Sequence, residues 1–161
     1  KKDDTIVFFI STHGYNGGAC TYDGYISTQQ IREIFHNTKA GNKFIIAQCC
    51  HSGSFNTTPD IITSTQDTWN NLGNIAQNGR SNVVILTSSR NYQYSYGSYY
   101  GNSYFLDQLL NALNGEADYN NDGIISIEET YNYLKESFKN NTEQTPQMIG
   151  RFNKNAPFIE Q

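Results

Sequence analysis

His13 and Cys50 are the two side chains in this sequence whose types and placement could do covalent chemistry together. A thiol attacks carbon as its thiolate, and its unperturbed pKa is about 8.5, so near neutral pH it needs a base. An imidazole can take that proton or hold the thiolate as an ion pair, and can later hand a proton to a departing amine. Gly14 follows the histidine, and Gly53 follows the cysteine by three positions. Glycine lets a substrate backbone come close, and the Gly14 and Cys50 N–H groups could meet a developing oxyanion. The chemistry such a set supports is acyl transfer through a thioester. The cysteine count agrees: Cys20, Cys49 and Cys50 are three, so at least one thiol stays unpaired. Vicinal cysteines seldom bridge each other, which favours a reactive thiol over a disulfide scaffold. Taken singly, a buried cysteine is a small core hydrophobe and a histidine after a strand is a satisfied polar group. The matched placement of the two carries the chemical reading. His36 reads as a solvated helix residue. His51, beside Cys49 and Cys50, cannot wrap a zinc ion with them from one turn.

The placement comes from the elements around the pair. Residues 5–10 (TIVFFI) are almost wholly apolar and read as a buried parallel strand ending at Ser11-Thr12-His13-Gly14. Residues 44–47 (FIIA) read as a second, running into Gln48-Cys49-Cys50-His51-Ser52-Gly53. Each candidate residue thus lies just past the carboxyl end of a strand, the edge where open parallel sheets gather ligands. Adjacent strands lie about 4.8 Å apart. The separation of 37 positions between the two residues has room for one crossover helix, as neighbouring parallel strands require. That helix is expected over 28–39, capped by Ser27, with Ile31, Ile34 and Phe35 on one face. A third buried strand is expected over 83–86, ending in Thr87-Ser88-Ser89-Arg90. Residues 56–68 read as a polar loop, 69–77 as a helix with Trp69 in the core, and 92–100 as a Tyr/Ser/Gly loop. Ser103 caps a helix with Phe105, Leu106, Leu109, Leu110 and Leu113 inside. A last helix spans 128–139 with Tyr131, Leu134 and Phe138 inward, and 156–159 form a short edge strand. Alternating strands and helices with no linker predict one α/β domain over 1–161, a three-layer αβα arrangement around a mostly parallel sheet.

Between the last two helices, residues 118–129 (DYNNDGIISIEE) fit the EF-hand loop pattern at every constrained position. Oxygens of Asp118, Asn120 and Asp122, the Ile124 carbonyl, Ser126 directly or through water, and a bidentate Glu129 would encircle a calcium ion. The plainer alternative is an Asx-rich turn capping a helix without metal.

Composition bounds the rest. The formal net charge is −4 with no basic patch, which argues against nucleic acid and anionic membrane as partners. The apolar runs are strand-sized, so none spans a bilayer. The opening Lys-Lys-Asp-Asp carries no signal peptide. Abundant Asn, Tyr and Ser favour an extracytoplasmic setting. Asn56-Thr57-Thr58 and Asn140-Asn141-Thr142 match the glycosylation pattern, as an Asn-rich chain does by chance.

The boxes around His13 and Cys50 resemble those of the clan of caspases, metacaspases and legumains. Phe8-Phe9-Ile10-Ser11-Thr12-His13-Gly14 resembles its His-Gly box. Ile45-Ile46-Ala47-Gln48-Cys49-Cys50-His51-Ser52-Gly53-Ser54 resembles its nucleophile box. Cys-Cys-His-Ser-Gly is similar to the metacaspase form and Cys50 to Ser54 to the legumain form, and both choose Cys50. Thr87 to Arg90 with Gln93 and Ser95 resembles the segment lining the specificity pocket. Gly101 to Phe105 and Gln144 to Gln147 resemble further landmarks. The resemblance implies a caspase-like fold and a cysteine endopeptidase acting on peptide or protein substrates. Its catalytic residues would be Cys50 and His13, with a pocket formed by Gln48, His51, Ser88, Ser89, Arg90 and Asn91. No cofactor is required for that chemistry. The sequence departs from the clan in several places. Gln48, Asn91 and Tyr92 stand where metacaspases carry acidic residues, and His51 stands where legumains carry glutamate. The strand–helix units that precede the histidine strand in both families are absent from this sequence. Two rival readings are a non-catalytic calcium-binding interaction domain derived from a peptidase, and a peptide ligase on the same dyad.

Overall fold

A computed structural model describes residues 4–53, 82–97, 102–153 and 155–160. The loop expected over 56–68 and the helix expected over 69–77, with Trp69, lie outside the described residues. Strand β1 (Thr5–Ser11) pairs in parallel with β5 (Asn42–Gln48), and β5 with β6 (Asn82–Thr87). An antiparallel strand, β8 (Gln147–Arg151), closes the other side of β6, giving a four-stranded sheet in the order β1-β5-β6-β8. An α/β architecture with a mostly parallel sheet is therefore present, and β8 is a strand that no pattern in the sequence announces.

The two faces of β5 and β6 divide by the alternation of extended chain. Ile45, Ala47, Cys49, Val83 and Ile85 face Ile31 and Phe35 of helix α1 (Thr28–Asn37). Phe44, Ile46, Val84 and Leu86 face the opposite way. There they meet Phe105 and Leu109 of α2 (Tyr104–Asn111), and Ile127, Leu134 and Phe138 in or next to α3 (Ile127–Ser137). Three layers result. Helix α1 starts where the sequence demands. The Ser27 side chain accepts the Gln30 N–H at 3.2 Å and Gln30 reaches back to the Ser27 N–H at 2.8 Å, a reciprocal cap. Its far end is closed by Lys43, a lysine inside a strand. Lys43 is 2% exposed, and its ammonium donates to the carbonyls of Phe35 and Thr38 at 2.8 and 2.7 Å. Burial lowers its pKa, and cation and helix C-terminus complement each other.

Two expectations need correcting. β1 is not a buried strand. It forms the sheet edge, and only Ile6, Phe8 and Ile10 pack inward, while Val7 and Phe9 are 53% and 50% exposed. Ile34 and Leu110, expected inside, are exposed because they fall off the covered stripe of their helices. The strand at the end, β9 (Pro157–Glu160), is a short edge strand as expected, and it lies outside the main sheet. It pairs antiparallel with β7 (Ile124–Ser126). Between β1 and α1, around the glycine-rich stretch Asn16-Gly17-Gly18, the chain builds a small antiparallel sheet of short strands: β2 (Gly14–Tyr15), β3 (Gly18–Thr21) and β4 (Gly24–Ser27).

Candidate active site

The β1–β5 ladder fixes where the two candidate residues leave the sheet. Ser11 is opposite Gln48, and the Thr12 N–H still bonds the Gln48 carbonyl at 3.2 Å. His13 and Cys50 each come two residues after the Ser11–Gln48 pair, on neighbouring strand ends. Backbone contact continues beyond the ladder: a Cβ placed on Gly14 would lie 2.0 Å from the Cys50 carbonyl oxygen and 2.9 Å from Cys49 Sγ. No side chain fits at position 14, so glycine there is what lets the histidine segment lie against the cysteine segment.

The vicinal cysteines have opposite surroundings. Cys49 is 1% exposed in the α1-side core. Its pKa is pushed up to about 12, first by burial and then by the neighbouring thiols of Cys50 and Cys20. Cys50 is half-buried, and His13 is exposed. The Cys50 thiol donates to the Ser95 carbonyl at 3.8 Å. After Cys50 the chain turns sharply, with His51 at φ 57°, a left-handed conformation uncommon for a side-chain-bearing residue. The His51 N–H bonds the Gln93 carbonyl at 2.8 Å and Nδ1 lies 3.0 Å from the Asn91 carbonyl. Both anchor the turn.

Hydroxyls hold this turn from beneath. Ser52, Ser88 and Ser89 are fully buried. Ser52 Oγ accepts the Ser89 N–H at 3.0 Å and lies 3.1 and 3.0 Å from the Ser88 and Ser89 hydroxyls. Ser88 and Ser89 also both donate to the Cys49 carbonyl at 3.3 Å. Their side chains therefore brace the cysteine turn and do not line an open surface. A Cβ on Gly53 would sit 2.3 Å from the Asn91 nitrogen, so this turn and the segment after β6 are in direct backbone contact. Gln48 accepts from Ser11 Oγ at 2.5 Å and donates to Ser95 Oγ at 3.3 Å, reaching both flanks of the cysteine. Arg90 and Asn91 are exposed at the rim, with the Arg90 guanidinium on the Tyr92 hydroxyl at 2.7 Å.

The segment from Arg90 to Gly97 has no regular structure of its own, and two buried amides hold it. Gln144 is 0% exposed. Its Nε2 donates to the Ser88 carbonyl at 3.0 Å and Ser95 Oγ at 3.2 Å, and its Oε1 accepts the Tyr96 N–H at 3.0 Å. Gln93 accepts the N–H groups of Arg90 and Thr145 at 3.1 and 3.0 Å. The sequence marked Gln144 only as a landmark. Its sign is a long polar residue two positions before a proline, too little to assign it a place.

The acidic loop is a separate feature. Asp118 accepts the Asp122 and Gly123 N–H groups at 3.2 and 3.0 Å, Asn120 accepts the Asp122 N–H at 2.8 Å, and Asp122 accepts the Ile124 N–H at 2.8 Å. Gly123 takes φ 77°, which the sharp turn needs. Ser126 caps α3, and its N–H and hydroxyl both donate to Glu129 Oε2, at 2.9 and 2.7 Å. Among the described residues no three His, Cys, Asp or Glu side chains converge as a metal cluster. The side-chain oxygens of Asp118, Asn120 and Asp122 are engaged by the loop's own backbone N–H groups, and Glu129 is turned to its cap.

A family model described as the caspase domain matches residues 1–157. This chain belongs to the caspase-domain family, a family of cysteine peptidases. Comparison with curated proteins gives no match. Among solved structures it is similar to protein GSU0716 from Geobacter sulfurreducens, at 15% identity and TM-score 0.59, over 98% of this chain and 70% of that one. At that identity the likeness speaks for the fold alone. No helix among the described residues is long and apolar enough to cross a membrane.

Proposed function

We propose that this caspase-domain chain is a cysteine endopeptidase with Cys50 as nucleophile and His13 as its proton carrier. The observation that carries the proposal is the close approach of the Gly14 backbone to Cys50, on strands whose register brings residues 13 and 50 level. Cys50 Sγ attacks the substrate carbonyl carbon as His13 takes the thiol proton. The carbonyl π pair moves to oxygen, where the Gly14 and Cys50 N–H groups meet the charge. When the tetrahedral adduct collapses, the C–N bond breaks and His13 gives its proton to the leaving nitrogen. A water then adds to the thioester while His13 accepts its proton, releasing the acid and the Cys50 thiol. The Cys49–Cys50 order follows the metacaspase form. Gln48, His51, Arg90 and Asn91, with Ser95, bring no carboxylate to the pocket, so bonds after Lys or Arg are not favoured. The test is labelling by a peptidyl electrophile: Cys50 is modified, Cys49 is not, and His13→Ala removes the labelling. Labelling undiminished in that variant would sink the dyad.

Calcium belongs to the same reading. Asp118, Asn120, Asp122, the Ile124 carbonyl, Ser126 and Glu129 would hold the ion, Glu129 swinging from its cap to do so, and the ion would brace the α2–α3 connection without entering the chemistry.

A further inference from the structure

The general acid in this reaction protonates the departing amine, so the residue after the scissile bond must lie beside His13. What stands beside His13 follows from the small sheet. Gly14 pairs with Ala19, and the Cys20 N–H bonds the His13 carbonyl at 2.8 Å, so His13 is opposite Cys20. Cys20 in turn is opposite Tyr25. Residues opposite one another on antiparallel strands project from the same face, and His13, Cys20 and Tyr25 make one row across it. The adjacent row, Gly14, Ala19 and Ile26, faces the other way: Ala19 is buried in the core with Cys49, and Ile26 packs against it. The row carrying His13 is therefore outward. Tyr15 shares that face. Its ring lies across Gly18, where a Cβ would come 2.5 Å from the phenol oxygen, and it meets Tyr25 edge to face with centroids 5.4 Å apart. Tyr25 is 72% exposed. The pocket segment holding Ser95 comes from β6, on the other flank of β5, so Cys50 sits between it and this aromatic face.

We infer that the outward face of the β2–β3–β4 sheet is the leaving-group subsite, and that Cys20, Tyr15 and Tyr25 select an aromatic or large aliphatic residue immediately after the cleaved bond. The inference rests on the reading of Cys50 and His13 as the dyad. The face offers a thiol and two phenol rings beside the imidazole, and aromatic rings gain by edge-to-face contact with another ring. Tyr25 acts only while the leaving group is bound, so it touches acylation and not hydrolysis of the acyl-enzyme.

The experiment digests a proteome-derived peptide library with the intact chain and reads both sides of each cut by mass spectrometry. Phe, Tyr, Leu and Met should be enriched after the cut over Gly and Asp. Tyr25→Ala should lower kcat/KM for peptides with an aromatic residue there, relative to matched Gly peptides, about threefold to tenfold, with the deacylation rate of a shared acyl group unchanged. Cys20→Trp should exclude large residues by crowding His13. Tyr22→Ala, at the fully exposed tip between β3 and β4, should change nothing. Cleavage with no preference after the cut, or a preference that survives Tyr25→Ala, overturns the inference and leaves the peptidase reading standing. No cleavage together with no labelling of Cys50 by a peptidyl electrophile removes that reading, and the inference falls with it.

Discussion

Cys49 and Cys50 are chemically identical neighbours, and the fold separates them by turning one into the core and the other toward the edge. With its thiol pushed up to about 12, Cys49 stays protonated and silent to iodoacetamide from pH 6 to 9, which peptide mapping after alkylation would read. Cys50→Ala should remove at least about 10³-fold of activity, as loss of a covalent nucleophile does, while Cys49→Ala keeps most of it. The same buried thiol has a stability signature. An unfolded Cys49 ionises in the ordinary thiol range and the folded one near 12. Its stabilising share is whole below pH 9 and is lost as pH climbs through about 12. Thermal melts of the wild type should therefore fall across that interval more steeply than those of Cys49→Ala. Gly14→Ala tests contact in place of ionisation. The added methyl meets a backbone oxygen at 2.0 Å, a group with nowhere to go, so the labelling rate of Cys50 should drop at least about 100-fold, as misplacement by an ångström does.

At the level of elements, the sequence displayed what periodicity and capping can display. The reciprocal Ser27–Gln30 cap, the apolar runs that became β5 and β6, and the start of α2 at Ser103 all stand where expected. What stayed hidden depends on neighbours distant in sequence. β1 carries an unbroken apolar run, which a single chain cannot distinguish from a strand covered on both sides, and one face of it is open. β8 is short and holds Gly150, so it has no alternating pattern to announce it. Residues 14–27 look like a loop because their strands are two to four residues long. Around the site, the two boxes were legible because chemistry restricts their residue types. The scaffold behind them was not, since serine and glutamine are ordinary surface residues until burial gives them a task. Gln144 is the test case. Replacing it with alanine strands the buried Ser88 carbonyl and releases the Tyr96 N–H, at a cost of about 1–3 kcal/mol. For a chain of this size that means roughly 2–12 °C in Tm. Because the Ser95 segment loosens with it, KM should rise more than kcat falls, measured in parallel with the melting curve.

For the molecule as a whole, the acidic loop is tied into the frame through β7. Ile125 is fully buried with Ala112 and Ala117, Ile125 pairs with Ile159, and Phe158 of β9 stacks edge-on against Phe44 of β5, centroids 5.4 Å apart. Calcium at about a hundred times its dissociation constant would add about 2.7 kcal/mol to stability, a rise of roughly 5–10 °C in Tm for a chain of this length. EGTA would reverse it, and Glu129→Gln would not respond. A flat melting temperature across a calcium titration would leave the loop as a metal-free turn. β9 also makes a remote gauge of the loop, because its amides are shielded only while β7 keeps its shape. Deuterium uptake at Ile159, more than thirty residues along the chain from Asp118, would slow when a cation stiffens a ring of oxygens that Ile159 never touches.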